Sequence, residues 1–333
     1  MLRILHDTKY DFIKWWRVAA ITTIVFIVGG LGSFLFKGSW NYSIEFTGGT
    51  LMQLQFNQPP DVAQLRSELE SNGIHGSEIQ QFGSDREFAI RAQESSQIAS
   101  QAAGAEGVAK RIEAALKKKY GDNAFTVVRR EAVSPRVGSE LRSGAIIAMA
   151  IASMVTLIYL AIRFEWRFAV AAVLSTLHDV LVTLSFIKIT HLEVSLTIVA
   201  AILTLLGYSA NDTIIIFDRV RENLKKARKE PLYDTLNRSI NETLPRSVMT
   251  HVTVLAATIV LLVFAGEVIR PFAWVMSFGV FVATFSSIYV ASPLLLWIER
   301  KFPRESTDKA HVTTSAARAA SKAERPDRTP ALR

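Results

Sequence analysis

The chain has 333 residues, of which 50% are hydrophobic and 20% are charged, and it contains no cysteine. The apolar residues stand in long blocks, which indicates an integral membrane protein, and the missing cysteines exclude disulfides, thiol catalysis and cysteine-ligated metal sites. The net charge of +8 does not indicate a nucleic-acid partner, because Lys and Arg flank the apolar blocks, where membrane orientation selects for them.

The first apolar block follows a short basic segment, 1–17. Residues 18–36 contain no charged residue. This stretch is long enough to cross a hydrocarbon core of about 30 Å. A cleavable signal peptide is the alternative, but its apolar region is normally shorter, roughly 7–15 residues. We therefore predict an uncleaved first membrane helix at 18–36.

Residues 37–142 are polar and predict a separate α+β domain. Strand and helix patterns alternate in the order β-α-β-β-α-β, which is the order of the ferredoxin-like split motif. The predicted elements are 50–56 (strand), 60–72 (helix), 78–82 and 87–91 (strands), 106–120 (helix) and 125–131 (strand). This stretch has no nucleophile-base pair, metal-ligand cluster or phosphate loop, so we interpret it as an interaction platform.

Five further membrane helices are predicted within 143–298, at 143–162, 168–187, 194–217, 247–265 and 272–298. A hydrophilic connection at 218–246 separates the fourth helix from the fifth. The last segment, 299–333, is a basic tail that we expect to be disordered, because it cannot bury enough apolar surface. The fold class is thus a polytopic α-helical membrane protein with six helices and one small ferredoxin-like domain.

The distribution of Lys and Arg predicts the orientation. These residues gather in 1–17, 163–167, 218–246 and 299–333, whereas the short loops on the other side hold only Lys188 and Arg270. By the positive-inside rule both termini are cytoplasmic, and the domain at 37–142 is extracytoplasmic. In a bacterium the location would be the inner membrane.

Asp212, inside the predicted fourth helix, is the leading candidate for function. A charged Asp at a helix centre costs roughly 2.5–3.5 kcal/mol, so such residues usually mark ion or substrate paths. Asp212 lies about 9 Å from the cytoplasmic end, where the long side chain of Arg246 can reach a similar depth. The pair is therefore a candidate for proton coupling. The alternatives are a structural ion pair or helix cap for Asp212, and lipid-phosphate binding for Arg246.

Other polar groups accompany Asp212. His178 and Asp179 lie near the middle of the third helix, where they either extend a proton relay or make a hydrogen bond to a neighbouring helix. Asn211 and Ser209 add hydrogen-bonding groups beside Asp212. His251 is interpreted as a packing residue and left out of the site.

Four sequence motifs resemble the SecD/SecF family of protein-export membrane proteins. The most specific is 207–223 (GYSANDTIIIFDRVREN), and the others are 46–50 (FTGGT), 178–180 (HDV) and 286–291 (SSIYVA). The resemblance covers nearly the whole chain except the tail. The segment 245–248 (PRSV), together with His251, departs from the family pattern.

The resemblance implies an RND-like half of six helices that pairs with SecD and assists the SecYEG channel, with YajC as a further candidate partner. The implied activity is use of the proton-motive force in late steps of export of a translocating preprotein, with Asp212 and Arg246 as the coupling residues. We expect contact with membrane lipid, no cofactor, no metal and no enzymatic activity. The alternatives are an RND-type half-transporter that exports a small molecule or lipid, and an assembly scaffold without transport.

Overall fold

The computed structural model describes residues 8–81, 84–92, 104–226, 230–266 and 268–303. Most of the predicted tail lies outside these residues. The chain enters with one 3₁₀ turn, Ile13–Trp15, and continues as helix α1, Trp16–Gly32. Two short helices follow, α2 (Phe34–Lys37) and α3 (Ile44–Thr47).

The small domain has the predicted order of elements. They are β1 (Gly49–Phe56), α4 (Val62–Ser71), β2 (Glu78–Gln81), β3 (Glu87–Ala92), α5 (Gly104–Tyr120) and β4 (Phe125–Val133). The side chain of Asp61 caps α4 by accepting a hydrogen bond of 2.8 Å from the backbone N–H of Ala63. After α4 the backbone turns at Gly73, whose φ of 79° favours glycine.

The four strands form one antiparallel sheet in the order β2-β3-β1-β4. The central strand β1 buries Met52, Leu54 and Phe56 on one face, against the helices. Leu65 of α4 and Ile112 of α5 are fully buried in the same core. The prediction of a ferredoxin-like domain is confirmed.

Five more long helices complete the fold. They are α6 (Pro135–Arg163), α7 (Trp166–Ile189), α8 (Leu196–Lys226), α9 (Leu232–Phe264) and α10 (Arg270–Ser286), which continues through a π-helical turn (Ser287–Ala291) into α11 (Ser292–Lys301). With α10 and α11 counted as one span, six helices of the described chain are long and apolar enough to cross a membrane. This confirms the predicted polytopic membrane fold.

The bundle has an interior and an exterior set of helices. About half of the apolar stretch of α7, of α8 and of the α10–α11 span is buried, whereas α1, α6 and α9 expose most of theirs. Helix α1 approaches α7 closely at Gly30, where a Cβ would lie only 2.8 Å from the Cα of Ser185. The buried polar groups on α7, α8 and α10 are therefore surrounded by protein on several sides.

Besides α6, which begins at Pro135 and not at 143, two helices extend well beyond the predicted apolar blocks. Helix α8 runs to Lys226 and α9 begins at Leu232, so most of 218–246 is helical. The two extensions are held together by polar contacts, in which Asn223 donates to the hydroxyl of Ser239 at 3.0 Å and to Glu242 at 2.7 Å. Hydropathy marks where a helix becomes apolar and does not mark where it begins.

The small domain is joined to the bundle at the loop between α7 and α8. The backbone N–H of Ser43 donates to the carbonyl of Val194 at 2.9 Å, and the N–H of Val194 donates to the carbonyl of Asn41 at 2.7 Å. Arg91 of β3 forms an ion pair with Glu193 in the same loop. Lys188, near the end of α7, is buried and donates to the carbonyl of Ser39 at 2.9 Å.

Candidate functional site

Two carboxylates are buried in the interior of the bundle. Asp179 lies in α7 and is 1% exposed, and Asp212 lies in α8 and is 4% exposed. A carboxyl group that has lost its water needs hydrogen-bond donors or cations in compensation. The groups around these two side chains therefore define the candidate site.

Asp179 is the centre of a hydrogen-bond cluster that joins three helices. Its Oδ2 accepts from the hydroxyl of Ser209 on α8 at 2.5 Å and from that of Ser286 on α10 at 2.7 Å. Its Oδ1 lies 2.9 Å from Nδ1 of the adjacent His178. Both carboxylate oxygens thus have partners, and Asp179 links α7 to α8 and α10.

Ser286 meets Asp179 where α10 passes into the π-helical turn Ser287–Ala291. Such turns add one residue to a helix and are frequent at functional sites. The hydroxyl of Ser287 donates to the carbonyl of Thr284 at 3.1 Å, and that of Ser292 donates to the carbonyl of Ser287 at 3.2 Å. The hydroxyls of the first residue of the irregular turn and of the residue that follows the turn therefore bond to backbone carbonyls.

Asp212 has a different environment, with one satisfied oxygen. The hydroxyl of Ser247 on α9 donates to Oδ1 of Asp212 at 2.7 Å. Within the described chain, Oδ2 is buried and has no hydrogen-bond partner. A proton can therefore bind to Oδ2 without breaking a hydrogen bond.

His251 belongs to the surroundings of Asp212, although the sequence interpretation left it out. It is 6% exposed, and its Nδ1 lies 2.5 Å from the carbonyl oxygen of Ser247. Its ring packs edge-to-face on Tyr208 of α8, with centroids 5.3 Å apart. Ser247 thus touches Asp212 through its hydroxyl and His251 through its carbonyl.

The spacing along α8 explains which predicted residues meet. Ser209 and Asp212 are three residues apart and so lie on one face of the helix, which makes the two carboxylate clusters neighbours. Asn211 lies about 100° around the helix from Asp212 and is exposed. The structure therefore brings Ser209 into the site and leaves Asn211 outside it.

Arg246 does not contact Asp212 in this arrangement. It is exposed, and its guanidinium makes no ion pair with any residue that the structure describes. Because α9 begins well before position 247, Arg246 and Ser247 are consecutive residues of one continuous helix and face different directions. Ser247 faces Asp212, and Arg246 faces away from the bundle.

The described residues contain no candidate metal site. No three His, Asp or Glu side chains among them lie close enough together to bind one ion.

The comparisons with known proteins agree with one another. Residues 112–301 match the family described as protein export membrane protein SecD/SecF, C-terminal, and residues 41–60 match the SecD/SecF GG motif. A protein translocase subunit SecF from Gemmatimonas aurantiaca is 68% identical over 305 residues, which cover 91% of this chain and 91% of the relative.

The chain belongs to the SecD/SecF family. A protein translocase subunit SecF from Calditerrivibrio nitroreducens is 41% identical to it over 298 residues, 89% of this chain and 96% of the relative. These SecD/SecF relatives are protein translocase subunits, and this supports the protein-export expectation over export of a small molecule.

Solved structures show the same SecD/SecF architecture. SecDF, a translocon-associated membrane protein from Thermus thermophilus, matches with a TM-score of 0.78 and 35% identity over 90% of this chain. SecDF in a super-membrane-facing form matches with a TM-score of 0.65 and 36% identity over 92% of this chain. The chain spans 40% and 41% of the length of these two proteins.

Three residues of the SecD/SecF chain join the site without having been predicted there: Ser247, His251 and Ser286. In the sequence Ser286 stood out only as part of the motif 286–291 (SSIYVA). The spacing of four between Ser247 and His251 is a signal that both lie on one face of α9. The sequence did not show that this face meets Asp212.

Proposed function

We propose that this chain is an accessory subunit of the Sec protein translocase, in which proton binding at Asp212 promotes late steps of protein export. The observation that carries the proposal is the buried Asp212 carboxyl group, which has one oxygen hydrogen-bonded and the other without a partner in the described chain. A proton that crosses 100 mV releases about 2.3 kcal/mol. That free energy is enough to shift a balanced pair of helix arrangements.

The two arrangements would differ in which residue of α9 faces Asp212. In the structure Ser247 donates to the carboxyl group, an arrangement that a protonated Asp212 tolerates well. An ionised Asp212 gains more from the guanidinium of Arg246, which a rotation of about 100° brings into place. Pro245 lies inside α9 and removes a backbone hydrogen bond next to both residues, which lowers the resistance to such a rotation.

A movement of α8 would reach the small domain directly. Helix α8 begins at Leu196, whose backbone N–H donates to Glu45 at 2.7 Å. Two residues earlier, Val194 exchanges backbone hydrogen bonds with the segment before α3. The structure contains no long flexible linker at this junction, so displacement of α8 along its axis would pull on the domain. We infer that the domain is the part that acts on exported protein.

We place both termini in the cytoplasm and the small domain, between α1 and α6, outside the membrane. The proposed partners are SecD, the SecYEG channel, YajC and the translocating preprotein. A SecD partner is supported by the match to SecDF structures, of which this chain spans 40% and 41%. The rest of each SecDF chain is long enough to form a second half, which would correspond to SecD.

The test is export of a preprotein into membrane vesicles with and without a proton gradient. Asp212→Asn keeps the size and polarity of the side chain but cannot bind a proton, so we expect gradient-dependent stimulation to be lost. Asp218→Asn is the matched control, because Asp218 lies on the same helix, is half-exposed and pairs with Arg163 at 2.9 Å. It should retain the stimulation.

Arg246→Ala should also lose the stimulation, whereas loss of a lipid contact alone would leave it intact. All variants must be present in the vesicles at wild-type levels. Full gradient-dependent export by Asp212→Asn under those conditions would overturn proton coupling at this residue.

A further inference from the structure

An apolar groove runs along the outside of the bundle between α1 and α11. Its volume is about 500 Å³, within the usual range of ligand pockets, roughly 300–1,000 Å³. Trp16, Ala20 and Ile24 line one wall, and Leu294 and Trp297 line the other. We call it the α1–α11 groove.

The length of the groove matches one leaflet of a bilayer. The helix rise of 1.5 Å per residue makes the α1 wall about 12 Å long from Trp16 to Ile24. The wall from Tyr289 to Arg300 is about 17 Å long by the same rise. Half of a hydrocarbon core is about 15 Å. A groove of this length that opens at one membrane surface would end near the middle of the bilayer.

The mouth of the groove carries one cation, Arg300, and two aromatic residues, Trp16 and Trp297. Arg300 lines it, is exposed and has no ion pair with any described residue. Its neighbours have partners of their own, since Glu299 lies 3.7 Å from Arg167. Lys301 lies 5.0 Å from the ring centre of Trp297 in the groove wall. A guanidinium binds phosphate through paired N–H donors, and Trp is typical of the headgroup level.

His178 forms the deep end of the groove. Its Nδ1 lies 2.9 Å from Asp179, and its Nε2 is buried without a partner in the described chain. A hydrocarbon chain at this position would cover the imidazole ring. It would thereby separate the Asp179 cluster from the lipid-facing surface of the bundle.

We propose that the α1–α11 groove is a phospholipid site, with the phosphate at Arg300 and one acyl chain running to His178. The charge at the mouth and the apolar walls of one-leaflet length select a lipid that has both a phosphate and a long chain. The site is independent of proton coupling at Asp212. In this proposal a phospholipid is a bound ligand of the α1–α11 groove.

The probe is phosphatidylglycerol added to the purified full chain, with retained lipid counted by native mass spectrometry. Arg300→Ala should weaken retention about fivefold, as expected for one basic residue at a lipid surface. Ala20→Phe should also reduce it, because the new ring fills the groove. Lys14→Ala is the matched control: Lys14 is an exposed cation just before α1 that does not line the groove, so its removal should change nothing.

Thermal unfolding in lipid-free detergent shows whether each variant is folded, and Arg300→Ala, on the surface, should melt like the wild type. Equal retention by Arg300→Ala and Lys14→Ala would overturn the site. So would undiminished retention by a folded Ala20→Phe. Loss of the lipid when the chain is purified together with a second membrane subunit would assign the groove to a partner helix and contradict the proposal.

Discussion

Ser247 on α9 donates a hydrogen bond of 2.7 Å to Oδ1 of Asp212 on α8. Both residues are buried, and within the described chain no other side chain donates to this carboxyl group. The contact therefore joins α9 to α8 at Asp212 and determines which face of α9 meets this carboxyl group. Its removal should affect stability and transport together.

Ser247→Ala should destabilise the chain by about 1–3 kcal/mol, because it leaves a buried carboxyl group without its donor. It should also reduce proton-driven export, since α9 loses the contact that defines one of its two arrangements. Ser247→Thr keeps the hydroxyl and should stay close to the wild type in both measurements. The measurements are thermal unfolding of the purified chain and export by vesicles with an imposed gradient. Identical export by the Ala and Thr variants would contradict this role for the hydroxyl.

Ser209 and Ser286 should behave as a coupled pair, because both donate to the same oxygen of Asp179. Each single replacement by Ala should cost about 1 kcal/mol. Removal of both leaves Oδ2 unsatisfied, so the double variant should lose about 0.5–3 kcal/mol more than the sum of the two. The check is a double-mutant cycle in thermal unfolding. Strict additivity would mean that the two hydroxyls act independently of the carboxylate.

The sequence was sufficient for the architecture, because long uncharged blocks and a β-α-β-β-α-β order each have few structural solutions. It also selected Asp212 and Asp179, since a carboxylate in an apolar helix is costly wherever it points. It could not choose between Arg246 and Ser247 as the neighbour of Asp212. These consecutive residues lie about 100° apart, and the rotation of α9 depends on its packing against other helices.

The same limit explains the other differences. The start of α9 at Leu232 was missed because the segment before 247 is amphipathic and stabilised by contacts with α8, which hydropathy does not report. Ser286 was not predicted as a partner of Asp179, because a serine in a membrane helix has no single partner that its neighbours in sequence reveal. Its hydrogen bond to Asp179 lies directly before a π-helical turn, which no residue pattern had predicted.

Two adjacent glycines of α1 should respond differently to the same change. A Cβ on Gly30 would lie 2.4 Å from the Cβ and 2.8 Å from the Cα of Ser185, whereas a Cβ on Gly29 would meet nothing within 4 Å. Gly30→Ala should therefore push α1 away from α7 and cost about 1–3 kcal/mol. Gly29→Ala should be neutral or slightly stabilising, because Ala favours the helix. Thermal unfolding of the two variants measures the difference, and equal midpoints would contradict the close approach of α1 and α7.

Two carboxyl groups outside the membrane should give opposite pH dependences. The hydrogen bond from Lys117, helped by Arg130, lowers the pKa of Glu113. A lowered pKa means that the folded state favours the ionised form, so the stability contributed by Glu113 is present above the ordinary carboxyl pKa and is lost as the pH falls. Glu113→Gln should be less stable than the wild type at neutral pH by under about 1 kcal/mol, since the pair is partly exposed. This difference in stability between Glu113→Gln and the wild type should disappear at acidic pH.

Glu193, at the junction of the small domain and the bundle, should show the reverse. Burial raises the pKa of Glu193, and the opposing charge of Arg91 does not cancel that effect. A raised pKa means that the folded state favours the neutral form, so this contribution is fully present below the ordinary carboxyl pKa and is lost as the pH rises through the raised value. Glutamine resembles the neutral carboxyl group. The stability of Glu193→Gln relative to the wild type should therefore increase with pH across that window, as measured by thermal unfolding at a series of pH values. A relative stability that falls with rising pH, as expected for the Glu113 variant, would show that the ion pair with Arg91 outweighs burial at this junction.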